Sequence, residues 1–150
     1  MWTAFATLVP PFKVSLGSTY SQSVPFPLET GSSVRAAFTP TEKEFSLNLY
    51  LDAENCFLHV VARGGTLKVD QMINNVWQQL LTVGPYPGNI GQMQELKVKI
   101  HDNYVQVFHD NVFQIQLNTM LPSAKIRTLT FVNDNDSVVI EIHTMELERL

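Results

Sequence analysis

The stretch FSLNLYLDAENCFLHVVAR, residues 45–63, contains two strand-like runs separated by a polar segment. In the first run every second residue is a large apolar side chain: Phe45, Leu47, Leu49 and Leu51. In the second run His59, Val61 and Arg63 share one face, because residues two apart on a strand point to the same side. The stretch therefore predicts two β-strands. His59 and Arg63 form either a binding row or the solvated side of a sheet.

The same alternation with a period of two continues through much of the chain. Strand-like runs occupy residues 95–102, 104–117 and 125–147, and the last two contain the turn signals HDN and NDND. Upstream, VPFPLETGSSVRAAF (24–38) has proline-rich edges and a Gly-Ser turn that leads into a strand. Short strands with polar turns indicate an antiparallel sandwich or barrel. Of the two, we predict an all-β, two-sheet antiparallel β-sandwich with jelly-roll-like order.

One segment departs from this pattern. In VDQMINNVWQQLL (69–81), the apolar residues fall at 69, 72, 73, 76, 77 and 80, the spacing of an amphipathic helix. Asp70 is a suitable N-cap for such a helix. Periodicity alone therefore predicts a short helix here.

Composition limits the class of protein. With 150 residues, 45% hydrophobic and 16% charged, the chain is expected to be globular and to form a single domain, 1–150. The formal net charge of -4 argues against nucleic acid as the main ligand. No apolar run is long enough to span a membrane, and MWTAFATLVPPFKV does not resemble a signal peptide, because it has no basic n-region and its apolar run stops at Pro10 and Pro11. Cys56 is the only cysteine, which excludes a disulfide framework and fits a cytoplasmic protein.

The residue types of catalytic and metal sites do not cluster in the sequence. The four histidines are scattered without ligand-like spacing: His59, His101, His109 and His143. No nucleophile motif and no glycine-rich phosphate loop is present. We therefore expect neither an enzyme nor a bound metal or cofactor.

Residues 45–63 resemble the core of the galectin carbohydrate-recognition domain. That family carries Phe-x-(Ile/Leu)-Asn-Leu, a turn, and an apolar strand ending in His-x-Asn-Pro-Arg. The first motif is matched by Phe45, Leu47, Asn48 and Leu49. His59 and Arg63 match the second. In the family a strand ending in Asn follows, with a Trp seven residues later; Asp70 takes the Asn place and Trp77 lies seven residues after it. Weaker resemblance extends over the chain from about position 24.

The resemblance changes the interpretation of residues 69–81. It implies strand, turn and strand, with INN (73–75) near the turn, because the strands on both sides stay in register with the family. We prefer this to the helix. It also implies a galectin- or concanavalin-like sandwich.

Several family positions carry different residues here. Val61 and Ala62 replace the Asn and Pro of the second motif. After the Trp, the family has Gly, Glu and a second Arg, where this chain has Gln78, Leu80 and Thr82. The departures imply either a lectin of altered specificity or a site that has decayed.

The resemblance implies a groove across the concave sheet, in which the apolar face of a galactose ring lies on a Trp. The implied carbohydrate-binding residues are His59, Arg63, Asp70, Trp77, Asn48 and Ser46, with Glu44 beside them. We predict a non-catalytic lectin for a galactose-containing or related β-linked glycan. The alternative is a protein-interaction or structural module with a vestigial site. In that case Trp77 is a packing residue, and Arg63 and Asp70 form only a structural ion pair.

The partners implied are a glycan or glycoconjugate and, through exposed sheet edges, a second copy in a homodimer. The proline-containing stretch VPPFKVSL (9–16) either caps such an edge or forms it. The family resemblance further implies export from the cytoplasm without a signal peptide.

Overall fold

The structure, a computed structural model, describes residues 4–7, 12–14, 19–40, 44–78, 81–133 and 140–149. The strands in these ranges are β1 (Ala4–Thr7), β2 (Phe12–Val14), β3 (Thr19–Ser23), β4 (Ser33–Pro40), β5 (Phe45–Asp52), β6 (Asn55–Arg63), β7 (Thr66–Ile73), β8 (Val76–Trp77), β9 (Leu81–Pro85), β10 (Gln94–Ile100), β11 (Tyr104–His109), β12 (Val112–Asn118), β13 (Thr128–Asn133) and β14 (Ile140–Arg149). One turn of 3₁₀ helix covers Ser123–Lys125.

Two antiparallel sheets form the sandwich that the sequence predicts. Sheet A has the order β1, β14, β4, β10, β11, β12, and β2 also pairs with β14. Sheet B has the order β3, β13, β5, β6, β7, β8, and β9 also pairs with β7. The all-β, two-sheet prediction is therefore confirmed. Within the described ranges, no helix is long and apolar enough to cross a lipid bilayer.

The core lies between the inner faces of the two sheets. Phe38 of sheet A packs edge-on against Phe45 and Phe131 of sheet B, with ring centroids 5.0 Å apart in both pairs. All three side chains are almost fully buried. The alternating apolar residues of residues 45–51 thus face the opposite sheet, and the other face of sheet B is left for polar groups.

Residues 69–81 are strand, turn and strand wherever the structure describes them. β7 and β8 pair through Met72–Trp77 and Ile73–Val76. Asn74 and Asn75 form the turn between them with φ of 50° and 67°. The helix suggested by periodicity is therefore wrong, because pairing with β6 and a left-handed Asn-Asn turn override the apolar spacing.

The predicted turns at the other hairpins have mixed outcomes. Asp110 and Asn111 have φ of 47° and 65° and join β11 to β12, which confirms the turn at HDN. The remainder of NDND, residues 134–136, lies outside the described residues. β13 and β14, which flank it, belong to different sheets. At VPPFKVSL, residues 12–14 pair with β14 as β2, so the described part of this stretch adds a strand to sheet A.

Cys56 is fully buried, as expected of a small packed side chain. Burial raises the pKa of its thiol to about 12. At neutral pH the group is therefore a thiol and a poor nucleophile.

Candidate functional site

The outer face of β6, β7 and β8 forms a groove of about 420 Å³. Its lining residues are His59, Val61, Arg63, Lys68, Asp70 and Trp77. The strand register explains the grouping, because His59 lies opposite Asp70 and Val61 lies opposite Lys68. Four residues of the predicted site, His59, Arg63, Asp70 and Trp77, therefore come together in one place.

Trp77 stands on the surface at the end of β8, immediately after the Asn74–Asn75 turn. Its side chain is 44% exposed, so it is not a core residue. One part of the indole contacts the ring of His59, with centroids 4.8 Å apart and an angle of 44° between the planes. A sugar ring between two aromatic rings would need a separation of about 7–8 Å. A sugar ring therefore does not fit between the rings of Trp77 and His59 at this separation.

His59 is held from behind by Asn48. The Asn48 amide donates from Nδ2 to Ser46 Oγ and to Thr130 Oγ1, at 3.1 Å each. Its Oδ1 therefore faces His59 Nδ1, with which it forms a short hydrogen bond. An amide oxygen can only accept, so Nδ1 of His59 carries the proton in this hydrogen bond.

Ser46 and Asn48 therefore differ from the expectation that they line the groove. Their side chains are 3% and 2% exposed, and neither is among the lining residues. The reason is local. Asn48 lies directly opposite His59 in the pairing of β5 with β6, and its side-chain amide is hydrogen-bonded to Ser46, Thr130 and His59. They position His59 instead.

Asp70 is set back in the floor of the groove. Its side chain is 3% exposed, and Oδ1 accepts the backbone N–H of Gln71 at 2.8 Å. Arg63, by contrast, is exposed at the end of β6, next to a turn in which Gly64 and Gly65 have φ of 58° and 77°. The groove thus combines a recessed carboxylate with an exposed guanidinium.

Lys68 is a lining residue that the sequence reasoning missed. It lies two residues before Asp70 on β7, so the alternation that grouped the other residues places it on the same face. It pairs with Val61 on one side and with Thr82 of β9 on the other. Thr82 occupies the position of the second Arg in the galectin motif. Although that Arg is missing, Lys68 on the neighbouring strand places a positive charge beside this position.

A second cleft, of about 400 Å³, adjoins the groove at Asp70. Amide side chains form much of its lining: Gln71, Gln78, Gln116 and Asn118. Gln71 spans the two sheets, donating from Nε2 to the Asn118 carbonyl at 2.6 Å and accepting the Met120 N–H at 3.2 Å. Leu80, which stands at the family's Glu position, lies outside the described residues.

Metal-ligating side chains do not converge in this groove or elsewhere in the described ranges. No group of three or more His, Cys, Asp or Glu side chains there could hold a metal ion. The groove offers hydrogen-bonding groups and an aromatic surface, the combination that suits a hydroxyl-rich ligand.

The fold and its outer-face groove define a galectin-like β-sandwich. Galectin LEC-6 from Caenorhabditis elegans superposes with a TM-score of 0.75 at 15% identity, covering 92% of this chain and 95% of that one. A variant of human galectin-16 gives 0.76 at 14% identity, with 89% and 97% covered. Sheep galectin-11, in complex with glycerol, gives 0.73 at 19% identity, with 89% and 99% covered. No family model and no curated protein matches the sequence. The resemblance predicted from residues 45–63 is thus confirmed for the fold.

Proposed function

We propose that the protein is a non-catalytic lectin that binds a galactose-containing or related β-linked glycan in the groove of β6, β7 and β8. One observation carries the proposal: Trp77 is 44% exposed in a groove it shares with His59, Arg63 and Asp70. Large exposed aromatic side chains with polar neighbours are typical of ligand sites.

The groups in the groove match the two kinds of surface on a sugar. A pyranose has a face of C–H groups that an indole covers, which removes apolar area from water at about 25 cal/mol per Å². Its hydroxyls both donate and accept. Arg63 supplies a fork of donors, His59 supplies an imidazole, and Asp70 supplies carboxylate oxygens.

The missing family residues predict weak binding of simple β-galactosides. Hydrogen bonds to charged groups are worth about 1.5–3 kcal/mol each, and Leu80 and Thr82 remove two such partners. Without replacement, affinity would be lower by about a hundredfold to ten-thousandfold than in a complete site. We therefore propose altered specificity, with preferred glycans that use groups the family motif does not contain.

A second candidate function is a protein-interaction or structural module with a vestigial site. The contact between Trp77 and His59 favours it, because the His59 ring covers part of the indole on which a sugar would otherwise lie. The two candidates differ in what the groove binds, and glycan binding separates them.

A glycan array with matched variants tests the proposal. We expect wild-type protein to bind a defined set of β-linked glycans and Trp77→Ala to bind none of them. Phe113→Ala is the matched control, since Phe113 is 51% exposed on sheet A, away from the groove. It should bind like wild type. A flat array with folded wild-type protein would support the interaction module instead.

The remaining expectations stay predictions. These are one domain over residues 1–150, cytoplasmic synthesis with export lacking a signal peptide, and homodimerisation. Limited proteolysis, cell fractionation and light scattering at two concentrations test them in turn.

A further inference from the structure

We propose that Lys68 forms an anion subsite in the groove, and that the preferred glycans carry a sulfate or carboxylate group next to the sugar on Trp77. This inference rests on the proposed lectin function and names the chemical class of its ligand. It starts from a residue that has no counterpart among the motif positions considered above.

The surroundings of Lys68 leave its ammonium group available. Its neighbours across the sheet are Val61 and Thr82, neither of which is acidic. Val61 is 3% exposed and provides an apolar floor, along which the Lys68 stem can lie. Within the described ranges, Lys68 has no hydrogen bond or ion pair with another side chain. The residue as a whole is half-buried, and an ammonium without an acidic partner is the group with which an incoming anion would pair.

The distribution of charge along the groove supports an anion at this end. Arg63 lies diagonally across from Lys68, because Arg63 pairs with Thr66, two residues before Lys68. The acidic lining residue, Asp70, is set back and 3% exposed. Glu44 precedes β5, whose first pair is Phe45–Ala62, and so lies towards Arg63 and not Lys68. The chain as a whole carries a net charge of -4, whereas this groove is lined by two positively charged side chains, Arg63 and Lys68.

The departures from the galectin motif fit the same ligand class. The family's Glu is replaced by Leu80, which removes a negative charge from the motif, while Lys68 adds a positive one beside Thr82. Compared with the family motif, an anionic substituent on the glycan would thus gain an attractive partner in Lys68 and would no longer be repelled by a Glu. A neutral glycan would gain neither.

Isothermal titration of the full chain tests the subsite with four probes: lactose, 3′-O-sulfolactose, 6′-O-sulfolactose and 3′-sialyllactose. We expect at least one anionic probe to bind about tenfold more tightly than lactose at low salt, with the ratio shrinking at about 0.5 M NaCl. The sulfated probes and the sialylated probe distinguish a sulfate ester from a carboxylate as the source of the anion.

Variants locate the effect. Lys68→Met keeps the apolar stem and should remove the preference, so that the anionic probe and lactose bind with affinities within about twofold of each other. Lys99→Met is the control, because Lys99 is an exposed lysine of sheet A, and it should keep the preference. Circular dichroism and thermal unfolding confirm that both variants fold.

The outcomes separate this inference from the proposed function. Equal affinity for lactose and all anionic probes would overturn the anion subsite and leave the lectin function standing. A preference that persists in Lys68→Met would overturn the assignment to Lys68. No binding of any probe to folded wild-type protein would overturn both.

Discussion

Trp77 and Phe131 are both large aromatic residues of sheet B, yet they have opposite surroundings. Phe131 is fully buried between Phe38 and Phe45, whereas Trp77 is 44% exposed and contacts His59. Burial decides what truncation costs, because a buried aromatic leaves a cavity and an exposed one does not. Truncating Phe131 should therefore lower stability, whereas truncating Trp77 should affect ligand binding and leave stability nearly unchanged.

Trp77→Ala is expected to change the free energy of unfolding by about 1 kcal/mol or less. Phe131→Ala, the comparison, should cost about 3–5 kcal/mol. Urea denaturation followed by circular dichroism measures both. A loss of several kcal/mol for Trp77→Ala would mean that the residue serves packing and not ligand binding.

Asn48 is expected to act on the ligand only through His59. Asn48→Ala removes the hydrogen bond that fixes the tautomer of His59, so glycan affinity should fall about fivefold to tenfold. It also leaves a buried cluster without its central amide, at a cost of about 1–3 kcal/mol of stability. Titration calorimetry and urea denaturation give the two numbers. Unchanged affinity in the destabilised variant would show that the tautomer of His59 does not matter for binding.

At the same scale, sequence reasoning named four residues that meet in the groove and missed one. His59, Arg63, Asp70 and Trp77 were identified by a motif whose spacing reflects strand pairing. Lys68 was missed because the motif has no position for it, although the alternation about Asp70 was enough to place it. The burial of Asn48 could not be read from the sequence, since it depends on contacts with Thr130, 82 residues away.

Among the secondary-structure elements, the hairpin of β7 and β8 decides where Trp77 stands. Its sequence has the apolar spacing of a helix, and periodicity alone gives the wrong answer. Two features correct it: the Asn74–Asn75 pair, which favours a left-handed turn, and the pairing of β7 with β6. The first is visible in the sequence. The second is a long-range contact that became predictable only through resemblance to a family.

The Asn74–Asn75 turn gives a prediction for this hairpin. Asn75 has φ of 67°, where a β-branched residue is strained by about 1–2 kcal/mol. Asn75→Val should lower stability by about that amount and weaken glycan binding, because β8 and Trp77 follow directly. Asn75→Gly adopts the same φ without strain and should bind like wild type. Equal behaviour of the two variants would show that the turn does not position Trp77.

For the whole molecule, the sandwich separates a dry interior from a polar outer face, but one histidine is enclosed. His109 is 5% exposed and lies against Tyr86, with Nε2 3.0 Å from Gln94 Oε1. The Tyr86 hydroxyl donates to the same oxygen of Gln94, which accepts from both. Burial lowers the pKa of His109, and the nearby Asp110 carboxylate opposes this in part.

The lowered pKa of His109 predicts a loss of stability in mild acid. Below about pH 6.5 the unfolded chain binds a proton at this residue that the folded chain does not, so the free energy of unfolding falls as the pH falls. The slope from one such group is at most about 1.4 kcal/mol per pH unit. His109→Gln keeps a donor towards Gln94 and should make the curve between pH 7 and pH 5 flatter. An unchanged curve would contradict a neutral His109 in the folded state.

Fold class was predictable over most of the chain because period-two alternation reflects a sheet with one buried face. The order of strands within each sheet was not, since it depends on which distant strands pair: β13, for example, lies between β3 and β5. The groove is a product of that order. The residue types of the groove could be predicted from the sequence, but their arrangement depends on the pairing register of β6, β7 and β8.

The central claim is that Trp77 is the platform for a glycan, and an NMR titration tests it most directly. Protein labelled with ¹⁵N would be titrated with lactose and its sulfated and sialylated forms to about 20 mM, which detects dissociation constants in the millimolar range. Trp77→Phe assigns the indole resonance against that of Trp2. We predict a saturable shift of the Trp77 indole N–H with at least one glycan, while the Trp2 resonance stays in place. A well-dispersed spectrum in which no glycan moves the Trp77 resonance would contradict the account.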